Sequence, residues 1–280
     1  MLGDMQNWEP NVASIIEYAG DIYPKTEVVS KLVNGSVHRT NYGEIKIRSR
    51  KLGSKLVKDG YKPGDILATL ALNTHRHLEA YYGISGIGAI THTLNFRLHP
   101  EQAVYIINHA ENRIIFIDED LLPLVEPILP KTPTVELLVV CSEEENPKPE
   151  KKNQIDYEKF IQEHPEEFTW PNLDENAPMG LCYTSGTTGK PKGVMYTNRS
   201  TYLHTITQSM TDSMSLSALD AVCGIVPMFH AMGWGLPFSA SSRCSGHHSP
   251  VSRNRLKGHE ESEAGSMPRA RRNAHGHHTE

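Results

Sequence analysis

The chain has 280 residues, 38% of them hydrophobic and 22% charged, enough to bury a sizeable core in one large domain or two ordinary ones. Its 28 Lys and Arg against 33 Asp and Glu leave a net charge of −5, which removes any electrostatic reason to expect a nucleic-acid partner. No apolar run nears the roughly 18 residues of a membrane span, the start MLGDMQNWEP lacks the order of a secretory signal, and Cys141, Cys182, Cys223 and Cys244 form no CxxC pair, so a cytoplasmic protein with reduced thiols is expected.

Helix and strand signals alternate from Asn41 onward. Asn41 is a candidate N-cap with Glu44 three residues on, and Ile45, Ile47, Leu52, Leu56 and Val57 mark the buried side of a helix that ends at Asp59-Gly60. Lys62-Pro-Gly-Asp65 is a turn, and Ile66–Ala71 reads as a buried strand. A helix over His77–Gly88, a short strand at Ala89–Thr91 and a helix from Pro100 to His109 follow, the last with Pro in its favoured first turn. Arg113–Asp118 and Val135–Cys141 are further apolar strands, and the charged stretch 142–154 is a solvated excursion. Continuous apolar strands separated by helices predict an α/β fold with a parallel sheet covered on both faces. His75, His77, His92, His99 and His109 have no metal-ligand spacing and are surface or packing residues.

Composition changes after Ala240. Residues 241–280 contain no Phe, Trp, Tyr or Ile, and carry seven Lys or Arg against four Glu. Such a segment has no periodicity and little to bury, so a disordered tail is expected. Three origins stay open: a basic His-rich tail for metal or polyanions, a solvated terminus, and a reading frame that slipped near Ala240. The abrupt onset favours the last.

The chemistry concentrates in residues 181–196, LCYTSGTTGKPKGVMY. An apolar lead-in, Met179–Tyr183, predicts a strand, and small, hydroxylated and basic residues follow it. Glycines let backbone N–H groups turn toward an anion, hydroxyls donate hydrogen bonds or ligate Mg²⁺, and lysine supplies a point charge for phosphate. The composition is that of a polyphosphate cradle. It is not a Walker A loop, because Gly189-Lys190 is followed by Pro191 and the position five before Gly189 is Thr184. The bland alternative is a Thr/Gly-rich surface turn.

YTSGTTGKPKGV resembles the phosphate loop of the adenylate-forming (AMP-binding) enzymes, the superfamily of acyl-CoA synthetases, luciferases and peptide adenylation domains. Thr40–Glu44 is similar to its TYxEL helix start, Tyr61–Asp65 to its GxxxGD turn, Gly86–Pro100 to its GAxxxxxNxRL segment and Val226–Trp234 to its PMFH segment. The likeness covers about residues 12–240. It implies the N-terminal part of the acyl-CoA synthetase/luciferase fold, with parallel sheets flanked by helices. A first subdomain would span residues 1–176, and the start of a second, carrying the loop, 177–240.

The resemblance implies ligation of a carboxylic acid: ATP and acid give acyl-AMP and pyrophosphate, and the acyl group then passes to coenzyme A. Amino-acid adenylating members usually place an aspartate where His230 stands, so a medium- or long-chain fatty acid is the expected substrate, with amino-acid or aryl-acid adenylation the alternatives. Met, Trp, Phe and Gly around His230 suit an apolar tail. Ser185, Gly186, Thr187, Thr188 and Gly189 would hold the β- and γ-phosphates, with Lys190 and Gly193 in the same loop. Thr184 would contact Mg²⁺, and Lys192 would neutralise departing pyrophosphate. His230 would orient the carboxylate, and Trp234 would wall the acyl site. The family's YGxTE segment, ribose-binding aspartate, hinge and small C-terminal domain are not found. The chain alone is therefore expected not to complete the reaction, a non-catalytic nucleotide-binding fragment is the rival reading, and a homodimer is left open.

Overall fold

The computed structural model describes residue 4 and residues 8–143, 153–162, 164–184, 190–243 and 246–249. Helix α1 (Ala13–Ile22) comes first, then a hairpin of β1 (Glu27–Lys31) and β2 (Val37–Asn41), then α2 (Tyr42–Lys58). Asn41 caps α2, its side-chain oxygen accepting from the Glu44 N–H at 2.9 Å and satisfying one orphan donor of the first turn. Ile45, Leu52 and Leu56 are fully buried, whereas Val57, expected on the same side, is exposed.

The strands β3 (Ile66–Leu70), β4 (Ile90–Thr93), β5 (Ile114–Asp118), β6 (Leu137–Cys141), β7 (Gln154–Asp156), β8 (Pro178–Thr184) and β9 (Lys192–Thr197) form one sheet in the order β7-β6-β5-β3-β4-β8-β9. All neighbours are parallel except β9, which runs back antiparallel to β8. Helices α3 (His75–Gly86), α4 (Pro100–His109), α5 (Leu122–Val125) and α6 (Tyr157–Gln162) make the connections. Every residue of β4 and β5 is buried, as expected where helices cover both faces of the sheet. Because β4 and β5 lie on opposite sides of β3, the chain reverses direction there, and a crevice opens at the strands' carboxyl ends.

After α7 (Asn198–Gln208) come β10 (Ala221–Cys223), α8 (Leu236–Arg243) and β11 (Gly246–Ser249). A second sheet has the order β10-β11-β1-β2, with β11 parallel to both β10 and β1. The boundary expected at residue 177 therefore does not separate the sheets. β8 joins the first sheet by pairing with β4, and residues 27–41 share the second sheet with 221–249. Helix α8 runs past Ala240 to Arg243, and β11 holds Gly246–Ser249. Composition hid this because α8 buries hydroxyls: Ser239 and Ser241 are fully buried and donate to the carbonyls of Gly235 and Pro237 at 3.1 and 2.8 Å. Residues 244, 245 and 250–280, the rest of the expected tail, lie outside the described residues.

The charged excursion is anchored at its start, where the Glu143 carboxylate accepts from the Val33 and Asn34 N–H groups at 2.7 and 3.0 Å. Among the described residues Cys141, Cys182 and Cys223 are free thiols, and no helix is long and apolar enough to cross a membrane.

Candidate functional site

The strand expected before the loop is β8, and its register with β9 sets Tyr183 opposite Gly193 and Thr184 opposite Lys192. Thr184, Lys192 and Gly193 thus meet at the carboxyl end of the parallel strands, where open α/β sheets bind ligands. Ser185, Gly186, Thr187, Thr188 and Gly189 lie outside the described residues. Helix α4 braces both flanks of that stretch. Tyr183 OH and His109 Nδ1 are 2.6 Å apart, and the Lys190 ammonium sits over the Tyr105 ring, 5.4 Å from its centre. Burial raises the Tyr183 hydroxyl above its usual range, which keeps it a neutral hydrogen-bonding group.

The segment 224–235 is laid across the crevice by groups from the strand ends. Asn73, just past β3, donates to the Gly224 and Val226 carbonyls at 2.7 and 2.8 Å and accepts from the Met228 N–H at 2.7 Å. Thr93 at the end of β4 donates to the Phe229 carbonyl at 3.1 Å, and Tyr81 OH donates to that of Met228. The chain then turns left-handed: Ala231, Met232, Gly233, Trp234 and Gly235 have φ of 41°, 48°, 63°, 56° and 72°. Three of these carry side chains, for which that region costs roughly 1–2 kcal/mol each. Met232 offsets part of the strain by burying its side chain on β8, where Gly180 leaves room. A Cβ on Gly180 would stand 2.1 Å from the Met232 sulfur.

This turn, α7 and the start of α8 line an open pocket of about 470 Å³. Tyr196, Met232, Trp234 and Phe238 supply its apolar wall, and Ser200, His204 and Gln208 its polar one. Trp234 is one of the lining residues. His230 is not in the wall: it is exposed at the head of the turn, in extended backbone, and the left-handed residues after it form the lining.

Asn73 and the α7 face were not anticipated. Ser200, His204 and Gln208 stand four residues apart and so share one helical face, but a polar stripe reads as a solvated helix until the turn is seen against it. Among the described residues no cluster of three His, Cys, Asp or Glu could hold a metal ion.

The sequence model of the family described as AMP-binding enzyme matches residues 17–254. The chain is 43% identical over 242 residues to a medium-chain-fatty-acid–CoA ligase of Ectopseudomonas oleovorans, a match covering 86% of this chain and 44% of the relative. It is also 43% identical over 242 residues to a 3-methylmercaptopropionyl-CoA ligase of Ruegeria lacuscaerulensis, covering 86% and 45%. Its fold matches the crystal structure of the anthranilate CoA ligase AuaEII in complex with anthranoyl-AMP, with a TM-score of 0.78, 22% identity, and coverage of 90% of this chain and 47% of that one. The chain therefore spans a little under half the length of these relatives. With the family pattern matched over most of its residues, from α1 past β11, it belongs to the AMP-binding enzymes.

Proposed function

We propose that this chain carries the triphosphate and acyl-tail sites of an AMP-forming fatty acid–CoA ligase. The observation that carries the proposal is a juxtaposition at one end of the sheet. The hairpin that bears Thr184, Lys190 and Lys192 adjoins, through Met232 on β8, an apolar cavity walled by Trp234 and Phe238. A cationic hairpin end beside an apolar-walled pocket fits a reaction between a polyphosphate and a carboxylate with a hydrocarbon tail.

In this reading Lys190 and Lys192 attract the triphosphate, and Lys192 offsets charge as pyrophosphate departs. Ser185, Gly186, Thr187, Thr188 and Gly189 supply the loop's hydroxyl and backbone donors. Trp234 packs on the hydrocarbon tail, and His230, at the head of the turn, faces the carboxylate end. Mg²⁺ arrives with ATP and takes the Thr184 hydroxyl as a ligand, supplying charge neutralisation at the phosphates. Coenzyme A is the final acyl acceptor.

Titration of residues 1–280 with ATP, followed by fatty-acid-dependent ATP–pyrophosphate exchange, tests the proposal. ATP binding that weakens tenfold or more in Lys192→Ala is expected, with no exchange by the chain alone. Lack of ATP binding would remove the phosphate site. Exchange with amino acids and none with fatty acids would move the chain to the amino-acid branch.

A further inference from the structure

The polar side of the cavity contains a hydrogen-bond acceptor with nothing to accept. Gln208, at the end of α7, donates through Nε2 to the Trp234 carbonyl at 2.6 Å. A carbonyl can only accept, so the amide orientation is settled by chemistry and Oε1 must face the other way. That oxygen is buried and has no partner. A buried acceptor left unsatisfied costs more than the average hydrogen bond returns, so such an atom in a binding cavity calls for an explanation.

Gly235 shapes the space around it. A Cβ there would lie 2.5 Å from His204 Nδ1 and 3.0 Å from Gln208 Oε1. Only a glycine lets these two groups close on the turn, and its φ of 72° is one that side chains avoid. The result is a polar corner facing the apolar wall of Met232, Trp234, Phe238 and Tyr196. His204 is exposed, so its ring can swing aside to admit a ligand group to Oε1.

We infer that the cavity selects an acyl chain bearing a hydroxyl group, whose proton Gln208 Oε1 accepts, over the unsubstituted fatty acid of the same length. A methyl terminus would leave Oε1 unpaired, and a site built around a hydrogen bond discriminates against the analogue that lacks it. This specificity rests on the proposal that the cavity holds the acyl tail.

Calorimetric titration of the 1–280 chain with hexanoate, octanoate and decanoate, each against its terminal hydroxy acid, separates the two claims. The expected result is binding of both classes, with one hydroxy acid favoured about tenfold over its parent. In Gln208→Met that ratio falls to about one, and Gly235→Ala, which displaces the corner, lowers it as well. Equal or weaker binding of every hydroxy acid by the unsubstituted chain overturns the inference while leaving the acyl site standing, and would mean that only water satisfies Oε1. Equal losses for both acids in Gln208→Met would give Gln208 a purely structural role and overturn it too. Binding of neither class removes the cavity's acyl assignment and the specificity with it.

Discussion

Two regions of this molecule are held together by different physics. The sheet around β3, β5 and β6 is mostly apolar: Leu67, Ile115, Phe116 and Ile117 are 1% exposed or less, and packing accounts for their positions. The segment 224–243 is instead pinned by polar groups, by Asn73 and Thr93 from the strand ends and by serines that bond to their own helix. It also holds the left-handed turn. Packed apolar strands tolerate little change of volume, whereas a strained, hydrogen-bonded segment can change shape when one anchor goes. Putting the cavity on the second kind of structure gives it adjustable walls on a rigid floor.

The sharpest contrast comes from one truncation in each region. Leu67→Ala empties a site in the sheet with no room to collapse, and about 4 kcal/mol of stability should go, read by denaturant unfolding. Asn73→Ala removes three hydrogen bonds to the 224–228 backbone and should cost about 3 kcal/mol. Only the second should abolish acyl-tail binding under conditions where the chain remains folded. If Leu67→Ala lost binding to the same degree at equal folded fraction, the division between floor and walls would fail.

That division follows what was legible in the sequence. β3, β5, β6 and β8 announced themselves as unbroken apolar runs, and Asn41 and Pro100 marked helix starts where helices do start. The β1–β2 hairpin and α8 did not, because part of what they bury is small or hydroxylated, and α1 carries its apolar face in one short stretch around Ile15 and Ile16. Ser30, for example, is fully buried and takes the His75 N–H at 2.8 Å. At the site, Thr184, Lys192 and Gly193 were legible by residue type, and the structure sets them together at the strand ends. The wall formed by α7 was not, since Ser200, His204 and Gln208 become a lining only through contact with a turn thirty residues later. Five left-handed residues in a row have no sequence signature when three of them are Ala, Met and Trp.

The sheet's burial should also show in pH dependence. Asp118, at the end of β5, accepts from the Leu72 N–H at 2.7 Å, and burial pushes its carboxyl up to about 7. Arg76 opposes that rise, while Glu143 and Asp120 add to it, and the Cys141 thiol beside it is held neutral by burial. The folded value lies above the unfolded one near 3.9, so the protonated acid is favoured. Its contribution is whole below about pH 4 and is lost as pH rises through about 7. The unsubstituted chain should therefore lose stability relative to Asp118→Asn by up to about 1.4 kcal/mol per pH unit across that window. The pairwise difference is the quantity to measure, because His77 and His92, lowered to about 4 by burial, contribute the opposite slope as pH falls below 6.5. A flat difference would mean that Asp118 is ionised in the fold and that the crevice between β3 and β5 admits charge.

The smallest effect probes the wall itself. Helix α7 starts with a reciprocal cap: Thr197 accepts from the Ser200 N–H at 3.0 Å, and Ser200 Oγ accepts from the Thr197 N–H at 3.0 Å. The helix has no strongly apolar side. Leu203 and Ile206 are exposed while Thr201 and Thr205 are buried, so packing holds it less firmly than α2 or α3. Thr197→Ala should then cost about 1 kcal/mol, a drop of roughly 2–4 °C in Tm for a domain of this size. Hydrogen exchange should locate the loss in the first turn, at Arg199 to Tyr202, ahead of any change in β3 or β5. At the other end of α7 the Gln208–Trp234 contact is made by a side chain and needs no cap, so acyl binding should weaken far less than in Asn73→Ala. Equal losses in the two variants would show that α7 and the 224–235 segment open as one cooperative unit, with the cap and Asn73 acting on the same equilibrium.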